Sequence, residues 1–172
     1  MKRSLLLVIL AMFCIYITSQ AQNNLSKVNN DHQKKAASKK GEKIFFKQAD
    51  QCLSLIEAAA QKISIKGVAV VAYMPGEITK TWISKMKVVG NLTSGKANLL
   101  GIANTKASEM ADTHLDSGSK IREIYNGELG YQGGLIKKVK SGYILAVFSG
   151  GSGEQDLQVA KIGLDWLSKY YK

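Results

Sequence analysis

The chain carries two histidines, His32 and His114, and two cysteines, Cys14 and Cys52, and this short inventory limits its chemistry. A zinc centre needs three or four Cys, His or carboxylate ligands at characteristic spacing, and a Ser-His-Asp apparatus needs a histidine between fixed partners. His32 lies in a polar leader, which leaves His114 alone in the part that can fold. Neither template can be assembled around it. Asp112 and Asp116 flank His114 at the end of a helical segment, where capping and solvation account for them. Cys52 falls on an apolar helical stripe with no His or cationic cluster beside it, so it reads as a small buried hydrophobe in preference to a reactive thiol.

Glycines are the second chemical feature. Ser149-Gly150-Gly151-Ser152-Gly153 leads into a helix as a phosphate-cradling loop would. No lysine followed by Ser or Thr closes the motif, however. Glu154 and Asp156 add negative charge to the first helical turn, favouring the helix dipole and repelling a phosphate. The run is therefore expected to be a strand-to-helix elbow whose backbone amides can line a pocket. Gly133-Gly134 marks a bulge or a close approach of backbone, or a pocket wall.

These residues need elements to hold them. Leu135 to Val139 and Tyr143 to Phe148 are β-prone and joined by Ser141-Gly142, which predicts a hairpin; its second strand is apolar almost throughout, as in a strand covered on both faces. Residues 67–73 (GVAVVAY) predict another strand, reversed by Pro75-Gly76 into residues 78–83, with a looser stretch over 86–95. Phe45, Ala49, Cys52, Ile56, Ala59 and Ile63 alternate at steps of four and three, predicting a helix over 42–63. A second helix is expected over 97–114, with Leu100, Ala103, Ala107, Met110 and Ala111 on one face, and a further helical turn over 121–125 capped by Asp116 or Ser117. The last helix, over 154–171, is expected to bury Leu157, Ala160, Leu164, Leu167 and Tyr171. Helix, hairpin, helix, hairpin, helix favours an α+β layer fold with an antiparallel sheet over a parallel doubly wound one.

The N-terminus bounds the setting. Lys2 and Arg3, an apolar stretch over 5–17 and small residues at 19 and 21 predict an export signal over 1–21 and a periplasmic or secreted protein. The apolar run is shorter than the roughly 20 residues that span a bilayer, which argues against a membrane anchor. Phe13 before Cys14 argues against a lipoprotein site. Residues 22–41 read as a flexible basic leader, and residues 42–172 as one domain whose lone cysteine can form no internal disulfide. The formal charge is +11, but seven lysines sit within residues 23–48 against Asp31 and Glu42, so the excess belongs mostly to the leader and not to a nucleic-acid surface.

Taken in order, these features resemble the GlcG/HbpS family of haem-binding and glycolate-utilisation-associated proteins (DUF336-like), itself similar to the C-terminal domain of PduO-type adenosyltransferases. The marks are Val68-Ala69-Val70-Val71 with Pro75-Gly76, Ala103 to Ala107 (ANTKA), Gly133-Gly134 before the hairpin, and Ser149-Gly150-Gly151 followed by Glu154-Gln155-Asp156 and Ala160. The chain departs in Leu135-Ile136-Lys137, which lacks a proline, and in the cluster Lys137, Lys138 and Lys140. The resemblance implies a profilin-like layered fold with a central antiparallel sheet of about five strands, homo-oligomers as in several members, and haem binding as in some exported ones. Haem needs an apolar slot, cations for its propionates and an axial ligand. The residues set against that need are His114 as iron ligand, Met110 one turn earlier, Thr113, Lys106 facing a ligand carboxylate, and Gly133, Gly134, Gly150 and Gly151 around the pocket.

An exported small-ligand binding protein, for haem or a related tetrapyrrole, is the reading these features favour. No nucleophile and base stand at readable spacing, which weighs against an enzyme degrading haem or acting on a small hydroxy-acid. A non-catalytic scaffold is the third reading. No nucleic-acid partner and no stable membrane insertion after signal cleavage are expected.

Overall fold

The computed structural model describes the backbone of residues 2–171 and the side chains of residue 27 and residues 33–171. Met1, Lys172 and the side chains of the expected export signal lie outside the described residues. The chain divides into two compact units, Met1–Ala37 and Ser38–Lys172. The first is helical backbone. The second carries the sheet, and its packing begins at residue 38: Tyr73 donates its hydroxyl hydrogen to Ser141 O at 2.9 Å and lies 3.4 Å from Ser38 O, while the Tyr171 hydroxyl donates to Gly41 O at 2.9 Å.

Among the described residues nine elements follow one another: α1 (Lys2–Lys62), β1 (Gly67–Pro75), β2 (Ile83–Val89), β3 (Thr93–Ser94), β4 (Ala97–Asn98), α2 (Leu99–Thr113), β5 (Gly134–Val139), β6 (Gly142–Ser149) and α3 (Gly153–Ser168). The main sheet is antiparallel in the order β2-β1-β6-β5, and β3 and β4 form a separate two-stranded ladder. The expected sheet of about five strands therefore has four, because Thr93–Ser94 and Ala97–Asn98 pair only with each other.

Period-two alternation in the two central strands builds the layers. Ala69, Val71 and Tyr73 of β1 and Ile144, Ala146 and Phe148 of β6 face Phe45, Ala49, Cys52, Ile56 and Ala60 of α1 and Val159, Ala160, Leu164 and Leu167 of α3. The intervening residues, Val68, Val70, Ala72 and Met74 with Leu145 and Val147, face Leu99, Ala103, Ala107 and Met110 of α2. The sheet is thus covered on both sides, as its unbroken apolar strands require. Each fully buried Val, Leu, Ile, Phe or Met among them contributes on the order of 1.5–3 kcal/mol, and each alanine less. Gly163 makes room in α3 for Ile56 and Cys52, and the Cys52 thiol donates to Gly163 O at 3.2 Å. Burial pushes that thiol's pKa up to about 12.

Three expectations change. The strand expected over 78–83 lies instead at Ile83–Val89, pairing Tyr73 with Ile83 and Gly67 with Val89. Residues 76–82 form a connection in which Ile78 is 71% exposed. This edge strand lacks apolar alternation because its inward positions include Lys85 and Lys87, which reach Asp50 and Glu57 of α1 at 2.8 and 2.5 Å. Inward charges on an edge strand discourage pairing with another sheet. The helical turn expected over 121–125 is absent; residues 115–133 cross the molecule as an irregular segment. Asp116 and Ser117 do not cap a helix there. Their side chains accept the backbone N–H groups of Ile136 and Gly134, both at 2.9 Å, and tie the segment to β5. In the β5–β6 hairpin the turn is Lys140-Ser141, with Gly142 already paired to Val139. A Cβ on Gly142 would stand 2.0 Å from Met74 O, so close approach to the end of β1 fixes this glycine.

Candidate functional site

The end of β6, the start of α3 and the middle of α2 converge on a buried ion pair. Lys106 lies on the same stripe of α2 as Leu99, Ala103 and Met110 and is 3% exposed. Its Nζ donates to Asp156 Oδ2 at 2.8 Å and to Phe148 O at 2.9 Å. Asp156 is equally buried, and its Oδ1 accepts the Gly151 N–H at 2.8 Å. Burial lowers the Lys106 pKa and raises that of Asp156, in each case against the attraction of the partner. The amides of the glycine elbow are therefore already engaged by the protein's own carboxylate. That arrangement, more than the charge of Glu154, is what denies the loop to a phosphate.

The elbow is built for this. Ser152 caps α3 in a reciprocal capping box, its Oγ accepting the Gln155 N–H at 3.3 Å and Gln155 Oε1 accepting the Ser152 N–H at 2.9 Å. A Cβ on Gly150 would meet Lys66 O at 2.0 Å. Gly133 adopts φ +129°, and a Cβ there would stand 2.3 Å from Lys106 Nζ and 2.7 Å from Asp156 Cβ. Its missing side chain is what lets backbone cover the pair. Gly134 does the same for Met110, whose methyl carbon would lie 2.6 Å from an added Cβ.

Above the pair opens a cleft of about 560 Å³. Leu99, Ile102 and Lys106 of α2, Ser94 and Ala97 of the small ladder, Lys120, Tyr131 and Gln132 of the crossing segment, and Ser149 to Gly151 with Glu154 and Asp156 line it. Lys120 makes no ion pair among the described residues, so it is the cation the cleft offers to a ligand. The crossing segment is held in place by Arg122, which binds Asp112 at 2.9 Å and Glu128 at 2.8 Å and stacks 3.8 Å above the Tyr125 ring. Hydrogen bonding to Arg122 holds the Glu128 pKa below its usual value.

The residues chosen from sequence are divided by the structure. Lys106, Gly150 and Gly151 line the cleft; Met110, Thr113, His114, Gly133 and Gly134 do not. Met110 is fully buried among Val68, Leu145 and their neighbours. Thr113 Oγ1 donates to Glu109 O at 2.8 Å. His114 closes α2 with φ 55°, its N–H donating to Met110 O, and its ring stacks on Tyr143 at 4.2 Å with Nε2 3.3 Å from Thr79 Oγ1. Lys106 faces Asp156 instead of a ligand carboxylate. These residues do not fit haem: the assigned imidazole and thioether do not line the cleft, and the assigned cation is neutralised internally. Among the described residues, no three His, Cys, Asp or Glu side chains gather to hold a metal ion.

Sequence reasoning missed Asp156 as a partner and Lys120, Tyr131 and Gln132 as lining residues. Lys106 held the available signal. A lysine spaced four and three residues along an apolar stripe must find a buried carboxylate, and Asp156 beside a glycine elbow was within reach.

The whole is an α+β domain with helices on both faces of an antiparallel sheet and a cleft at the strand-to-helix elbow. No family model matches the sequence, and no curated protein matches it either. Among solved structures, the crystal structure of the Klebsiella pneumoniae protein ORFY, of family DUF336, is similar with a TM-score of 0.53 and 18% identity over 70% of this chain and 87% of that one. The fold is DUF336-like. The likeness does not single out the GlcG/HbpS branch. Among the described residues, no helix is long and apolar enough to cross a membrane.

Proposed function

We propose that the domain is a binding module for a small polar molecule, held in the cleft between α2, the crossing segment and the glycine elbow. The observation that carries this reading is the cleft itself. Its volume lies within the roughly 300–1,000 Å³ typical of ligand sites, and Gln132, Tyr131 and Lys120 line it beside the apolar patch of Leu99 and Ile102. Lys120 suits a carboxylate. Catalysis receives no support from the buried acid–base pair beside the cleft, Lys106 with Asp156, because it is locked by its own hydrogen bonds. Export, suggested by the N-terminal residues, belongs to this proposal and is tested by locating the processed chain in periplasmic or culture fractions.

Thermal shift and NMR titration against small carboxylates, polyols and hemin test the binding reading. A ligand at one hundred times its Kd should add about 2.7 kcal/mol of stability. Lys120→Glu should weaken a bound carboxylate at least tenfold, and Tyr131→Ala should weaken any occupant. His114→Ala should leave binding unchanged. Binding that ignores both cleft substitutions, or a saturable hemin Soret shift that vanishes in His114→Ala, overturns the assignment of the site.

A further inference from the structure

Glu109 is the one buried side chain whose hydrogen bonding the fold leaves incomplete among the described residues. It is 7% exposed, on α2. Oε1 accepts the Gly118 N–H at 2.9 Å, but Oε2 is buried with no partner. A buried acceptor left unsatisfied costs on the order of 1–3 kcal/mol, so it needs an explanation. Glu109 lines a cavity of about 60 Å³ with Gly118, Lys120, Arg122, Glu123, Glu128 and Gly130. Gly118, Lys120 and Gly130 also line the large cleft, so the small cavity adjoins it.

We infer that Glu109 is the inner recognition residue of the cleft and that its Oε2 accepts the hydrogen of a hydroxyl on a hydroxyl-bearing small molecule. This rests on reading the cleft as a ligand site. A cavity of this size admits a hydroxyl-bearing arm and excludes a ring, and in the absence of ligand it has room for water. Lys120 and Arg122 line the same space together with Glu123 and Glu128, and Arg122 is already paired with Glu128, so Lys120 is the cation left beside Glu109. A hydroxyl is the donor that a ligand whose carboxylate meets Lys120 can bring to Oε2 without a further charge. Among the described residues no three His, Cys, Asp or Glu side chains gather to hold a metal ion, and Lys120 and Arg122 stand among the carboxylates of this cavity. A molecule with a carboxylate on Lys120 and a hydroxyl on Glu109 uses both unengaged groups.

The test compares matched probes: lactate against propionate, malate against succinate, and xylitol as an uncharged polyol. Wild-type protein should bind the hydroxylated member of a pair at least tenfold tighter than its deoxy partner, because a site built to accept a hydroxyl hydrogen is left unpaired by the analogue. Glu109→Gln presents an amide donor to the same space and should reduce that preference to within about twofold. Glu109→Asp, which withdraws the oxygen by one methylene, supplies the same readout should the glutamine variant fold poorly. Deoxy probes bound as tightly as hydroxylated ones by wild type, or discrimination that survives both substitutions, overturn the inference while leaving the cleft as a site. Xylitol binding alone places the ligand among polyols; lactate or malate binding alone places it among hydroxy acids, and either supports the role of Glu109 provided its variants abolish it. If no probe binds, the cleft reading fails and this inference fails with it.

Discussion

Replacing Lys106 with Met should be among the most destabilising conservative-volume changes available in this domain. The side chains of Lys106 and Asp156 are each 3% exposed and lie 2.8 Å apart, so water cannot compensate either charge when the other is removed. Lys106→Met leaves the Asp156 carboxylate buried with the Gly151 N–H as its nearest retained donor, and orphans Phe148 O as well. Breaking a buried pair from one side costs about 3–5 kcal/mol. For a domain of this size that corresponds to a fall in Tm of roughly 10 °C or more. Asp156→Asn should cost less, because its amide oxygen can still accept from Gly151. The informative variant is the double one. In Lys106→Met/Asp156→Asn no net charge is buried, so its loss should fall short of the sum of the two single losses by about 2 kcal/mol or more. Urea unfolding followed by circular dichroism measures all four corners of that cycle. Single variants within about 1 kcal/mol of wild type, or strictly additive losses, would refute the claim that this pair is a closed internal structure and return Lys106 to the ligand.

Glycine positions separate in the same assay. Gly133→Ala should cost roughly 3 kcal/mol, since the added methyl strikes Lys106 and φ is +129°, whereas Gly127→Ala, with open space around it, should cost about 1 kcal/mol for its positive φ alone. Cys52, its pKa pushed up to about 12 by burial, should resist thiol reagents in the native state at pH 8 and react only on unfolding; rapid native labelling would contradict its place between α1 and α3. The Arg122–Glu128 pair gives an acid dependence of definite sign. A carboxyl whose folded pKa is depressed contributes stability above its unfolded pKa of about 4.3, and that contribution is lost as pH falls through the folded value. Amide exchange across residues 115–133 should accelerate on going from pH 5 to below 4, after correction for intrinsic rates, and Glu128→Gln should exchange fast at both.

Much of the scaffold was legible in order. Runs of β-branched and apolar residues announced β1 and β6 because a strand sandwiched between helices has no face to leave polar, and the stripe from Phe45 to Ile56 announced α1 for the converse reason. The edge strand β2 was not legible, because Lys85 and Lys87 point toward α1 and are satisfied by Asp50 and Glu57, contacts with no signature along the chain. The cleft was half legible. Gly150 and Gly151 were correctly placed at an elbow and Lys106 near it, while His114 and Met110 drew attention by residue type alone.

Residue order alone therefore determined the layers, since hydrophobic periodicity is a local property that any packing of these segments must respect. Which polar groups are consumed and which are left open is a different kind of fact. Lys106 and Asp156 stand fifty positions apart and cancel; Glu109 and Lys120, closer in sequence, stay unpaired at the edge of a cavity. Only three-dimensional proximity decides that, because the strength of a charge or hydrogen bond depends on burial and on the partner within about 3 Å, and neither is written in the spacing of residues along the chain.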